Sequence, residues 1–380
     1  MKILHSYVFF SIKFAGGTSD LMFKILKAQA DDGSEPVLLT GDYKFDSDLF
    51  ETLKGVKCIK SKSYFDKMGF SIMPFLFWDL FKHRHDFDCV HMHVYRTFQS
   101  AILYLFCIIF GKKFVIDAHG AVPYHTNKIF LKKVFDIVVG RKMLRNAVKV
   151  VAETKVGVSE YLEITRSIPK EKIVILSPPF DTEPYLKLPV ERLFRSKYDI
   201  PPDKNIISFL GRLHPIKGND FLVKGFFELQ CRRDDCHLVL IGPDDGHEAE
   251  LKKIVGELNI QDKVTFTGYM AGADKDEALA ASSIVVQLSR FEQGAWAPME
   301  GVLCGTPIVV TDHTGTGEDV KKLEAGYLVK LDDIENLATV FEYILDNYSE
   351  AKIKTLKARQ YIIDNLSMKS RVSEYYELFD

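Results

Sequence analysis

The chain has 380 residues, 47% hydrophobic and 27% charged, with 24 Gly and 14 Pro. Single cores stop growing near ~250 to 300 residues, so this length calls for two domains, and the composition excludes disordered and collagen-like classes. A formal net charge of -2 lacks the basic excess of a dedicated nucleic-acid binder, so no nucleic-acid partner is expected.

The charge is unevenly spread. Residues 1–185 hold 26 Lys+Arg against 20 Asp+Glu, and the remainder hold 24 against 32, which points to an anionic partner or surface on the first half. The six cysteines are scattered through mostly apolar runs without CxxC or zinc spacing. They read as buried free thiols of a reducing, cytoplasmic compartment. The N-terminal run Ile3 to Phe10 leads into a glycine turn rather than a signal-peptide cleavage site. The apolar stretch Ala101 to Phe110 falls short of the ~20 residues that span a bilayer, which leaves room for a peripheral position on the inner face of a membrane.

In chain order, short apolar runs alternate with amphipathic segments, the pattern of parallel sheets. Strands are predicted at 2–10, 36–40, 56–59, 89–91, 114–117 and 148–152, with helices at 20–30 and 98–110 between them. A proline-rich crossing runs from Ser177 through Pro178, Pro179, Pro184 and Pro189 to Pro201 and Pro202, and proline at this density interrupts regular structure. A second series of strands follows at 206–210, 237–241, 264–266, 284–288, 308–311 and 326–329, and residues 334–378 are helical by periodicity. The fold class is therefore α/β, with two doubly wound, Rossmann-like domains. We place them at 1–183 and 184–364, with 365–380 a helix that could pack back on the first. Ligands of such sheets bind beyond the carboxyl ends of the strands, so polar residues just after strands are the candidates.

Four groups stand there. In the first, Glu292 follows a strand, Gly294 marks a turn, Pro298 is expected to open a short helix with Glu300 in its first turn, and Gly305 closes it. The amides of Gly294, Ala295 and Trp296 would offer donors to sugar hydroxyls or phosphate. The alternative is a solvated Glu292 and a Glu300 that only caps its helix. In the second, Arg212 and Lys217 lie between Gly211 and Gly218 and would neutralise a diphosphate; the alternative is two surface cations. In the third, Gly16 and Gly17 open the first helix, where the backbone could approach a ligand, or simply turn. In the fourth, His91 and His93 flank one strand end and His119 follows another. A structural role is the alternative for His91 and His93, and a metal site would need a third ligand, so no metal is expected.

Taken together these segments resemble retaining glycosyltransferase family 4, which has the GT-B fold. The matching features are Glu292 and Glu300 as an E-x7-E motif followed by Gly305-Thr306-Pro307, Gly211-Arg212 with Lys217-Gly218, and Asp88 to His93 with Asp117-Ala118-His119. Gly16-Gly17, Gly242-Pro243 and Phe266-Thr267-Gly268 fall in the same order. The resemblance covers nearly the whole chain. It implies an active site in the cleft between two domains, with a nucleotide diphosphate sugar as donor and no obligatory metal or cofactor. It further implies that Arg212 and Lys217 hold the diphosphate, Glu300 bonds the ribose, and Glu292 with Gly294, Ala295 and Trp296 holds the sugar. The base would lie near Tyr269 and Met270, and His119 would reach the sugar or phosphate. The chain departs from the family at Gln293-Gly294-Ala295-Trp296, where x-Phe-Gly is usual, and at Ser177-Pro178-Pro179-Phe180 in the crossing.

The expected activity is transfer of a hexose-type sugar to a lipid-linked saccharide or polysaccharide. The alternatives are a GT-B epimerase or phosphorylase and a non-catalytic, nucleotide-sugar-binding subunit of a glycan assembly complex. Nine Lys/Arg between Gly111 and Lys149, interleaved with Ile129, Phe130, Leu131, Val134, Phe135 and Val138, suit a basic amphipathic helix on an anionic membrane. A core-packed helix with one solvated face is the alternative.

Overall fold

The computed structural model describes residues 1–67, 70–123, 129–165, 168–294 and 296–380, with the side chains of 15, 65–67 and 70 outside that description. The chain divides into two compact units, Met1–Asp181 with Ser367–Asp380, and Thr182–Leu366.

In the first unit, strands β1 (Ile3–Ser6), β2 (Val37–Gly41), β3 (Lys57–Ser61), β6 (Cys89–Met92), β7 (Lys113–Asp117), β8 (Val150–Ala152) and β9 (Ile173–Ile175) form one parallel sheet. Their order is β3-β2-β1-β6-β7-β8-β9, and β4 (Phe65–Lys67) pairs antiparallel with β5 (Phe70–Ile72) apart from it. The central strands are buried along their whole length, which is why they read as continuous apolar runs rather than alternating ones. Helices between them supply Leu103, Phe106 and Tyr161 to a core with Leu4, Leu39, Val90 and Ile116. Helix Phe98–Phe110 begins where the Thr97 side chain accepts from the Ser100 amide, and ends at Gly111 in the left-handed region, a paired start and stop signal. The chain's last helix, Met368–Glu377, packs on helix Gly17–Asp31, and the Tyr376 hydroxyl meets the Ser34 hydroxyl at 2.7 Å.

In the second unit, strands β10 (Asn205–Leu210), β11 (Cys236–Ile241), β12 (Val264–Gly268), β13 (Ile284–Gln287), β14 (Ile308–Thr311) and β15 (Tyr327–Val329) make a parallel sheet in the order β12-β11-β10-β13-β14-β15. Phe209, Leu240 and Val286 of the sheet pack with Phe221, Phe226, Leu337 and Phe341 of the helices. The strand order reverses between β1 and β6 in one sheet and between β10 and β13 in the other. Those reversals are where doubly wound sheets open a crevice for ligands.

Several expectations need correcting. The first strand stops at Ser6 instead of running to Phe10, because the chain turns into the glycine segment. Strand β9 and the β4–β5 hairpin were not expected. β9 is an edge strand whose residues are only partly covered, although Ile173-Val174-Ile175 is as apolar in sequence as a central strand. The short helix of the glutamate segment starts at Trp296. Pro298 is thus its third residue and Glu300 its fifth, past the first turn. Of the six thiols, Cys231 is exposed and Cys58 half-buried, while the other four are buried.

Candidate active site

At the reversal in the second sheet, the loop after β10 meets the loop after β13. Lys217 ends a 3-10 turn, Pro215–Lys217, and Gly218 follows with φ 66°. A Cβ on Gly218 would lie 2.0 Å from the Leu288 carbonyl oxygen, so only glycine lets these two loops approach so closely. The approach has a chemical consequence. The Lys217 ammonium forms an ion pair with the Glu292 carboxylate, which also accepts from Gln287 Nε2 and Ser289 Oγ, both at 3.3 Å. Both partners are mostly shielded, with side-chain exposures of 18% and 17%.

Arg290 clamps the same two loops. It is bidentate to Asp220 at 2.8 Å on each arm, donates to the Pro215 carbonyl at 2.7 Å, and its own amide donates to the Ile216 carbonyl. Burial alone would raise the Asp220 carboxyl, but the guanidinium beside it holds the carboxyl below its usual range. Nothing in the sequence singled out Arg290, because its partner lies 70 residues away.

Glu300 stands on helix Trp296–Leu303 and does not share the Lys217 cation. Its partner is Lys275, at 2.7 Å, from helix Gly272–Ala281. Burial penalises the Lys275 ammonium, yet Glu300 and Asp276 more than offset this and its pKa is raised. Lys275 is thus a neighbour of the candidate site that the motif spacing did not show.

Arg212 is exposed and ion-paired with Asp245. Its loop is held at Gly242, where a Cβ would sit 1.8 Å from the Gly211 carbonyl oxygen. Tyr269 is exposed and Met270 half-buried just beyond β12, Gly294 lies in the loop before the Trp296 helix, and Ala295 falls outside the described residues. Gly16 and Gly17 are exposed at the start of helix Gly17–Asp31 in the first unit, Gly16 with φ 67°.

In the first unit the reversal gathers histidines. His5 of β1 and His91 of β6 are register partners, and His93 follows β6. All three are buried to 1% exposure or less. Burial drives the His5 pKa down to about 4 and those of His91 and His93 well below the ordinary value, so all three are neutral at pH 7. His5, which sequence spacing could not relate to the other two, supplies the third imidazole of a group whose ligand-capable atoms lie within 4.8 Å of one another. His119 lies in the left-handed region at φ 43°. Its Nδ1 faces Glu153 at 3.2 Å and Asp117 at 3.3 Å, while its Nε2 is 3.0 Å from His93 Nδ1. Burial would lower the His119 pKa, but the two carboxylates outweigh it and the pKa is raised; burial pushes Asp117 itself up to about 6.

Two family descriptions match the chain, Glycosyltransferase Family 4 over residues 15–184 and Glycosyl transferases group 1 over residues 190–365. Among curated proteins, the D-inositol 3-phosphate glycosyltransferase of Stackebrandtia nassauensis is 25% identical over 68% of the chain, a match that spans 60% of that relative's length. An uncharacterized glycosyltransferase of Methanocaldococcus jannaschii is 26% identical over 82% of the chain and 80% of its own. The crystal structure of Anabaena HepE in complex with UDP and glucose superposes with a TM-score of 0.81 at 17% identity, covering 99% of both chains. That likeness carries the fold, two Rossmann-like α/β domains of GT-B type.

Proposed function

We propose a function from one premise: the chain belongs to glycosyltransferase family 4, its second half matching the group 1 glycosyl transferases. The proposed activity is transfer of a sugar from a nucleoside diphosphate sugar to an acceptor hydroxyl, with retention of anomeric configuration. The observation that carries it is the Lys217–Glu292 pair at the strand-order reversal of the second unit. A diphosphate bears more negative charge than one carboxylate, so it competes for Lys217, with Arg212 as a second, more exposed cation. Glu292, released, accepts from the hydroxyls of the transferred sugar, and Glu300 on its own helix accepts from the ribose hydroxyls. The bond from the anomeric carbon to the diphosphate oxygen breaks as the acceptor oxygen bonds to the same face of that carbon. The acceptor proton passes to the departing phosphate oxygen. Cations placed where the leaving charge develops lower this barrier.

Thermal shift with UDP, GDP and ADP and their sugars tests the reading, since a ligand of the native state raises the midpoint by mass action. One nucleotide series should raise it, and the product sugar should keep the donor's anomeric configuration by proton NMR. No shift with any of them, or an inverted product, overturns it.

A second observation favours a membrane-held acceptor such as a lipid-linked saccharide. In helix Ile129–Phe135 and the π turn Asp136–Gly140 after it, Phe130, Leu131, Ile137 and Val138 are 61 to 77% exposed beside Lys133, Arg141 and Lys142. A core-packed helix would bury those side chains; an apolar face flanked by cations suits an anionic interface. Lys128 of this basic run lies outside the described residues. The wild type should float with anionic liposomes and not with neutral ones, and Phe130→Ser with Leu131→Ser should abolish flotation. Failure of the wild type to float would leave a soluble acceptor.

A further inference from the structure

A line of side chains runs through the first unit. Gln29 Oε1 lies 2.9 Å from His5 Nε2, His5 Nδ1 2.9 Å from His93 Nε2, and His93 Nδ1 3.0 Å from His119 Nε2. His119 Nδ1 then meets Glu153 and Asp117. Each nitrogen-to-nitrogen step holds one proton, so the direction of the whole line is set by its ends. An amide oxygen at the Gln29 end takes a proton from His5 Nε2–H. His5 Nδ1 then accepts from His93 Nε2–H, and His93 Nδ1 accepts from His119 Nε2–H. His119 must also offer a proton to the carboxylates at its Nδ1, and so carries two. The opposite direction, with the Gln29 amide nitrogen turned to His5, leaves His119 neutral beside two buried carboxylates and one cation short.

We propose that Gln29, His5 and His93 are positioning residues that hold His119 as an imidazolium, with its Nε2–H turned inward and its charge retained through neutral pH. The proposal rests on the reading of His119 as a group that meets the donor. Its charge, not a free ring nitrogen, is then what it offers, because both nitrogens are engaged. The titratable groups around the line are His91, stacked on His93 with ring centroids 4.1 Å apart, Asp117 and Glu153, Tyr161, whose hydroxyl accepts from the Ala118 amide, and Tyr375, 6.0 Å from the His91 ring. Both tyrosines are held neutral by burial, their pKa values raised well above the ordinary one. This direction commits the Nδ1 lone pairs of His5 and His93 along the line, whereas neither His91 nitrogen has a hydrogen-bond partner among the described residues, so zinc is one arm of the test.

The test is nitrogen-15 NMR of the full chain labelled at histidine, across pH 5 to 9. His5 and His93 should be neutral with the proton on Nε2, and His119 doubly protonated at pH 7. In Gln29→Leu the terminal acceptor is gone and the His119 pKa should fall by ~1 unit, while Gln29→Glu, which can only accept, should hold it at or above wild type. The alkaline limb of the turnover-against-pH profile should move with it. Nδ1-protonated His5 and His93 with a neutral His119, equal titration in the two Gln29 variants, or one equivalent of zinc erasing the N–H signals each overturns the proposal. Because the NMR readout needs no donor, loss of the glycosyl-transfer reading would leave these results standing, and the reverse.

Discussion

The two units share a parallel, doubly wound sheet, yet they treat the groups at the strand-order reversal in opposite ways. The first lines it with imidazoles at 0 to 1% exposure, His5, His91 and His93, kept neutral by burial. The second lines it with ion pairs left partly open, Lys217–Glu292 and Lys275–Glu300, each side chain 17 to 20% exposed. A buried neutral imidazole stabilises the fold only while it stays neutral, which ties the first unit's stability to pH. An ion pair that is mostly shielded yet still 17 to 20% open can, on the proposed reading, exchange its carboxylate for a ligand's phosphate. One architecture therefore carries a cluster of buried neutral imidazoles in one half and a candidate anion site in the other.

The largest expected effect separates the two in acid. A folded-state pKa below the unfolded value means stability that is present above the ordinary histidine value near 6.5 and lost as pH falls through the folded one. For His5, falling to about 4, this amounts to on the order of 3 kcal/mol, and His91 and His93 act in the same direction. Hydrogen exchange between pH 6 and 4 should show the first unit losing protection before the second, and His91→Phe should narrow the gap. Simultaneous loss in both units would break the comparison. His119, with its raised pKa, has the opposite sign: its contribution is full below pH ~6.5 and lost as pH rises through the folded value.

Next in size is Lys217→Ala, which should lower turnover by roughly 100-fold or more through lost electrostatic stabilisation, with exchange protection in both units unchanged. Wild-type turnover in a folded variant would remove Lys217 from the site. Glu300→Ala should weaken nucleotide binding by about 10- to 100-fold, since a hydrogen bond to a charged group is worth ~1.5 to 3 kcal/mol. Unchanged affinity by calorimetry would assign Glu300 to Lys275 alone. The smallest effect sharpens the geometry. Arg290→Ala loosens the clamp between the Pro215–Lys217 turn and the Glu292 loop, and should weaken nucleotide affinity by about 10-fold or less. A variant as weak as Lys217→Ala would mean that Arg290 meets the ligand itself.

Much of this was legible from one chain. The six strands described in the second unit fall where apolar runs place them, most plainly the four central ones, because a strand buried on both faces has no polar alternation to confuse it. The two pieces that were missed differ: β9 carries the apolar run Ile173-Val174-Ile175 but only three residues of strand, and β4 and β5 are three-residue strands with polar residues inside them. The helix at Trp296 starts two residues early, since proline is tolerated anywhere in a first turn and marks a start only loosely.

Sequence alone thus determined the two βα series, and it named the loops after strands as candidate sites, with the two glutamates, Arg212, Lys217 and His119 as candidate residues. Those rest on local signals, namely apolar runs, glycine turns and motif spacing. Tertiary structure decided who meets whom. Lys217 is paired with Glu292 across 75 residues, Glu300 with Lys275 across 25, and His5 with His93 across 88. The reason is topological: the strand order β2-β1-β6 and β11-β10-β13 sets side by side strands that are remote along the chain, and a parallel sheet delivers all their ends to one edge.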